Sequence, residues 1–75
     1  MVIKAKPNFR MSAAHAGYSL RELAEKTGLA RESVCRTAHG RPVQARTARK
    51  LCEALNAEFD DLFVIEEEAH GKTDL

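Results

Sequence analysis

Ser19-Leu20-Arg21-Glu22-Leu23-Ala24-Glu25-Lys26-Thr27-Gly28-Leu29 runs directly into Ala30-Arg31-Glu32-Ser33-Val34-Cys35-Arg36-Thr37-Ala38-His39-Gly40. Ser19 and Glu22 stand at the spacing of a capping box, in which the serine hydroxyl accepts from the amide of Glu22 and the glutamate side chain returns to the amide of Ser19. A helix therefore starts at Leu20. It buries Leu20, Leu23 and Ala24 and stops at Gly28, because glycine takes the left-handed backbone of a helix end without a Cβ clash. Gly28-Leu29-Ala30 then leaves three residues before another helical stretch, Arg31 to His39. Two short helices joined by a glycine-containing turn of that length make a helix-turn-helix. At about 100° per residue, Val34, Thr37 and Ala38 fall on one side of the second helix and face the core. Glu32, Arg36 and His39 occupy the middle of the opposite side, with Arg31, Ser33 and Cys35 at its margins.

Upstream, Val2 to Ala5 is a β-prone stretch stopped by Pro7, and Asn8 is placed to cap a helix that begins at Phe9 and ends by Gly17. Phe9, Ala13 and Ala16 lie on one side of that helix, with Ser12 where a bulkier apolar residue is expected. Downstream, Gly40-Arg41-Pro42 turns the chain into a fourth helix over 45–55. Thr47, Ala48, Leu51, Cys52 and Leu55 form its inner face and leave Arg46, Arg49 and Lys50 outside. A short fifth helix over 58–62 starts with acids, as the helix dipole favours, and buries Phe59, Leu62 and Phe63. Residues 63–66 are β-prone again, so the two terminal stretches, 2–5 and 63–66, are expected to pair with each other, within or between chains. The expected fold is all-α: one compact five-helix domain over 1–68 with its core in 9–63, short strands at both termini and a disordered tail over 69–75.

Seventy-five residues hold one small domain and no large catalytic architecture. No apolar run approaches the roughly 20 residues of a membrane span, and no apolar stretch with a cleavage site follows Met1. A cytoplasmic protein without a membrane partner is expected. Cys35 and Cys52 are far from a C-x-x-C spacing and read as structural thiols in a reducing compartment. His15, His39 and His70 make no cluster of the kind zinc requires, so neither a metal nor another cofactor is expected. No nucleophile with a base, no paired carboxylates in a pocket and no phosphate-binding glycine loop can be assembled, which argues against an enzyme.

Charge is distributed unevenly. Residues 1–50 hold eleven Lys and Arg against three acids, whereas residues 51–75 hold one lysine against eight acids. The basic half suits a phosphate-binding face, and the acidic half would repel a polyanion and must point elsewhere. An oriented binder fits this segregation; so do arginine-rich helices that are merely solvated.

The series Ser19-Leu20-Arg21-Glu22-Leu23-Ala24-Glu25-Lys26-Thr27-Gly28-Leu29, Val34-Cys35-Arg36, Gly40-Arg41-Pro42-Val43 and Thr47-Ala48-Arg49-Lys50-Leu51 resembles the lambda-repressor-like helix-turn-helix family, also called the Cro or xenobiotic-response-element type. The resemblance covers residues 9–63. It implies a sequence-specific regulator of transcription that binds double-stranded DNA, of the phage or mobile-element repressor kind, acting as a homodimer on an inverted repeat. By the same resemblance the third helix enters the major groove and offers Arg31, Glu32, Ser33 and Arg36 to base edges. Arginine pairs bidentately with guanine, glutamate accepts from cytosine, and serine is permissive. Ser19, Arg21, Arg41, Gln44 and Arg46 are the implied phosphate contacts.

Departures from the family pattern are specific. Ala30 stands where a Ser or Thr cap is common, Gln44 likewise, Thr37 replaces a branched aliphatic residue, and Ser12 and Ala13 replace larger ones; together they predict a monomer of modest stability. Glu32 could read a base or offset Arg36 one turn away. Cys35 could be a redox switch or a small filler, and His39 a phosphate contact or a turn cap. The rival to DNA binding is a protein-interaction module of antitoxin or anti-repressor type, suggested by the acidic carboxy-terminal half, the β-prone ends and the weakly capped third helix.

Overall fold

The reciprocal hydrogen bonds at Ser19 form as its sequence context dictates: Glu22 N donates to Ser19 Oγ at 3.1 Å and Ser19 N donates to Glu22 Oε1 at 2.9 Å. The computed structural model describes residues 1–66. Its elements in order are β1 (Val2–Ala5), α1 (Phe9–His15), α2 (Leu20–Thr27), α3 (Arg31–Ala38), α4 (Ala45–Leu55), α5 (Phe59–Leu62) and β2 (Phe63–Glu66). This is a five-helix, lambda-repressor-like architecture with short terminal strands. The tail expected over 69–75 lies outside the described residues.

Helix α2 ends at Gly28, whose φ of 76° is the left-handed conformation that removes the chain from the helix axis. Helix α3 begins without a side-chain cap at Ala30, as its methyl group requires, and ends one residue before the expected boundary with His39 as its C-cap. Helix α4 likewise starts uncapped at Gln44. Asn8 does not cap α1. Its backbone, at φ −83° and ψ 5°, is not in the extended conformation of a capping residue, and its Nδ2 donates instead to the carbonyl of Asp61, 3.2 Å away. The amino end of α1 is thereby tied to α5.

Phe9, Leu23, Val34, Leu51, Leu62 and Phe63 are fully buried and join all five helices into one core. Phe9 and Phe63 meet in a tilted ring pair, with centroids 6.0 Å apart. Thr37 is buried among them, and its Oγ1 donates to the carbonyl of Ser33 at 2.8 Å, so its polar atom carries no unpaired penalty. Five expected core positions differ, of which Leu20, Ala38 and Thr47 are half-buried at the margin of the core. Ala16 is exposed because α1 has already ended at His15. Phe59 is half-buried, with its ring stacked on Phe63 at 5.5 Å.

The terminal strands pair within the chain. They run antiparallel, with Val2 opposite Glu66, Ile3 opposite Ile65, Lys4 opposite Val64 and Ala5 opposite Phe63. Lys4 Nζ lies 3.4 Å from Glu66 Oε1 across the pair. The other edge of β1 is taken by the α3–α4 loop, where Val43 N donates to Ile3 O at 2.8 Å. Strand β1 is thus held between β2 and the loop that follows the helix-turn-helix. No helix among the described residues is long and apolar enough to cross a membrane.

Candidate nucleic-acid interface

The outer face of α3 is polar because Val34 and Thr37 spend the inner face on the core. Arg31, Glu32 and Arg36 are exposed there and share one cleft with Cys35, His39 and Arg41. Glu32 and Arg36 approach to 3.9 Å, but their side chains are 86% and 64% exposed. An i,i+4 pair this solvated is worth about 0.3–0.5 kcal/mol, too little to keep either side chain from another partner. Ser33 is half-buried and lines an adjoining groove with Arg36, Pro42, Val43, Gln44 and Thr47. Arg36 therefore borders both depressions, and the α3–α4 loop forms the wall of the second.

The other basic residues are arranged around this face unequally. Arg21 shares a depression over Gly28 with Arg31, and is itself 3.9 Å from Glu25. Ser19 holds the amino end of α2, where its hydroxyl oxygen already accepts from Glu22 N. Arg31 and Arg41 carry no ion pair among the described residues. Arg46 is also without one, but it lines a different depression, between α4 and α5, with Arg49, Cys52, Glu53, Phe59 and Asp61. Arg31, Glu32, Arg36 and Arg41 are therefore brought together, Ser33 and Gln44 join them through the adjoining groove, and Arg46 stands apart.

His39 does something that its place in the sequence left open. Its Nδ1 lies 2.7 Å from the carbonyl of Cys35, which can only accept, so Nδ1 carries the proton and caps the end of α3. Nε2 is then an acceptor, and Arg10 Nη2 of α1 donates to it at 3.2 Å. Sequence reasoning did not single out Arg10. The two residues are 29 positions apart, and no local pattern connects them.

The thiols differ in setting. Cys35 is half-buried at the cleft, whereas Cys52 is buried between α4 and α5. Burial, reinforced by the carboxylates of Asp61, Glu53 and Glu58, pushes the Cys52 thiol above its ordinary pKa, which favours its protonated form. Among the described residues, no group of three or more His, Cys, Asp or Glu side chains could hold a metal ion.

Three comparisons bear on this geometry. The profile of the Cro/C1-type HTH DNA-binding domain matches residues 8–68. The fold superposes with a TM-score of 0.68 on a Bacteroides fragilis protein assigned as DNA-binding, at 19% identity over 83% of this chain and 98% of that one. The transcriptional regulator VanUg gives the same TM-score and identity, over 91% of this chain and 92% of its own. At 19% identity these two structures speak for the fold. No curated protein sequence matches the chain significantly.

Proposed function

Because this chain belongs to the Cro/C1-type helix-turn-helix DNA-binding domain family, we propose that it is a sequence-specific regulator of transcription of the phage or mobile-element repressor kind, reading double-stranded DNA with α3 in the major groove. The observation that carries this reading is the exposed cleft along α3, where Arg31 and Arg41 have no ion pair among the described residues and Arg36 has only a weak one. Unpaired guanidinium groups around a polar helix face are suited to guanine edges and phosphates, which offer the acceptors the protein does not supply. Arg31, Glu32, Ser33 and Arg36 are the readers in this proposal. Ser19, Arg21, Arg41, Gln44 and Arg46 hold the backbone.

A homodimer on an inverted repeat completes the proposal, since a module of this size buries too little DNA surface for high affinity. Val64 and Ile65 on β2 are exposed apolar side chains next to α5 and supply the surface for it. The same exposure favours a second reading, in which an antitoxin or anti-repressor-like module presents β2 to a different protein. Binding-site selection followed by a salt series separates the two. A regulator yields a consensus site and a steep fall of affinity with salt, whereas a dedicated protein binder yields neither. Sedimentation with footprinting tests the dimer, which is wrong if a strict monomer protects a single asymmetric half-site.

A further inference from the structure

One imidazole stands beside a cleft lined by arginines and is itself in contact with another arginine from a different helix. Arg36 and Arg41 line the same cleft as His39, and Arg10, from α1, donates to His39 Nε2 at 3.2 Å. Arg10 and Arg41 have no carboxylate partner among the described residues, and the imidazole gives Arg10 an acceptor in place of one. With its Nδ1 proton committed to the Cys35 carbonyl at 2.7 Å, His39 presents the lone pair of Nε2 to Arg10. The guanidinium is therefore oriented through one N–H while the rest of its donor fork remains exposed to solvent.

We propose that Arg10, oriented by His39, forms with Arg41 a phosphate-gripping site at the carboxy-terminal end of α3, and that its occupant is a phosphodiester of the bound duplex. The site rests on the DNA-binding reading above and adds α1 to the surface that touches the backbone. Arg10 is the group that meets phosphate. His39 is a positioning residue: it spends its own hydrogen bonds on the α3 terminus and on Arg10. A guanidinium held in place loses less side-chain freedom when it binds phosphate than one that is free. The arrangement also anchors α1 to the recognition helix on the side away from Arg21, so that the polar face of α3 has cationic groups beyond both of its ends.

The test is a salt series on the selected site and on a random duplex for wild type, Arg10→Ala, His39→Ala, His39→Gln and the Arg10→Ala/His39→Ala double variant, with thermal melts to verify folding. Arg10→Ala is expected to weaken both duplexes by the same factor and to reduce the slope of log affinity against log salt by about one unit. His39→Ala should shift the slope in the same direction and add nothing once Arg10 is absent, whereas His39→Gln, which keeps an acceptor within reach of Arg10, should restore it. An unchanged slope for Arg10→Ala beside a steep wild-type slope overturns this site and leaves the DNA-binding reading standing. Fully additive effects of the two alanine variants overturn the pairing. Wild-type protein with no salt-sensitive affinity overturns both the site and the reading beneath it.

Discussion

The carbonyl of Ile3 accepts a hydrogen bond of 2.8 Å from the amide of Val43, which binds the first strand to the loop after α3. Ile3 is also opposite Ile65 in the β1–β2 pair, so one residue joins the amino terminus, the carboxy-terminal strand and the loop that walls the α3 groove. Its side chain is 6% exposed and belongs to the core. The terminal strands are thus part of what positions Arg41 and Gln44 beside α3.

Ile3→Ala removes a buried branched side chain from this junction and should cost about 2–4 kcal/mol. For a domain of this size that is a fall in Tm of roughly 10 °C or more. Deleting residues 1–6 should be at least as severe. Thermal denaturation decides it, and an unchanged Tm in either variant would mean that β1 contributes nothing to the fold.

Capping is tested in both directions. Ser19→Ala removes one arm of the box at α2 and should destabilise by about 1 kcal/mol. Ala30→Ser supplies the oxygen that α3 lacks, on a backbone already extended at φ −66° and ψ 141°, and should stabilise by a similar amount. Urea denaturation of both variants would contradict the account if Ala30→Ser proved neutral or harmful.

Reading and holding should separate between Arg36 and Arg46. Arg36 borders both depressions of the α3 face, so Arg36→Ala should cost about 1–3 kcal/mol on the selected site and less on random DNA. Arg46 stands on α4 away from that face, and Arg46→Ala should weaken all sequences alike while lowering the salt slope by about one unit. If Arg36→Ala weakens both duplexes equally and leaves site preference intact, Arg36 holds phosphate and does not read bases.

The raised pKa of Cys52 has a consequence for stability at alkaline pH. Its thiol is protonated in the folded chain at pH values where the unfolded chain has already lost the proton. The stability is fully present below the unfolded thiol's pKa, about 8.5, and is lost as pH rises from there toward the higher folded value. Cys52→Ala should flatten that decline. Alkylation at pH 8 should label Cys35 well before Cys52, and equal labelling would show that Cys52 is not enclosed between α4 and α5.

Much of this protein is determined by the sequence acting over one or two turns. The Ser19–Glu22 box, the left-handed stop at Gly28, the inward Val34 and Thr37, and the inner face of α4 all follow from hydrogen bonds and periodicity within about four residues, and all five helices occur close to where those rules put them. The polar α3 face carrying Arg31, Glu32 and Arg36 is legible for the same reason, since a helix that spends one side on the core must expose the other. Tertiary structure decided what no local rule reaches. It paired β1 with β2 inside the chain and set Val43 against Ile3, drew Asn8 away from capping to Asp61, left Phe59 half-covered, put Arg46 in a separate depression, and brought Arg10 to His39. Each of these joins segments of different elements, and such contacts depend on how the helices pack around Phe9, Leu51 and Phe63, an outcome of shape and volume across the whole core that residue spacing does not encode.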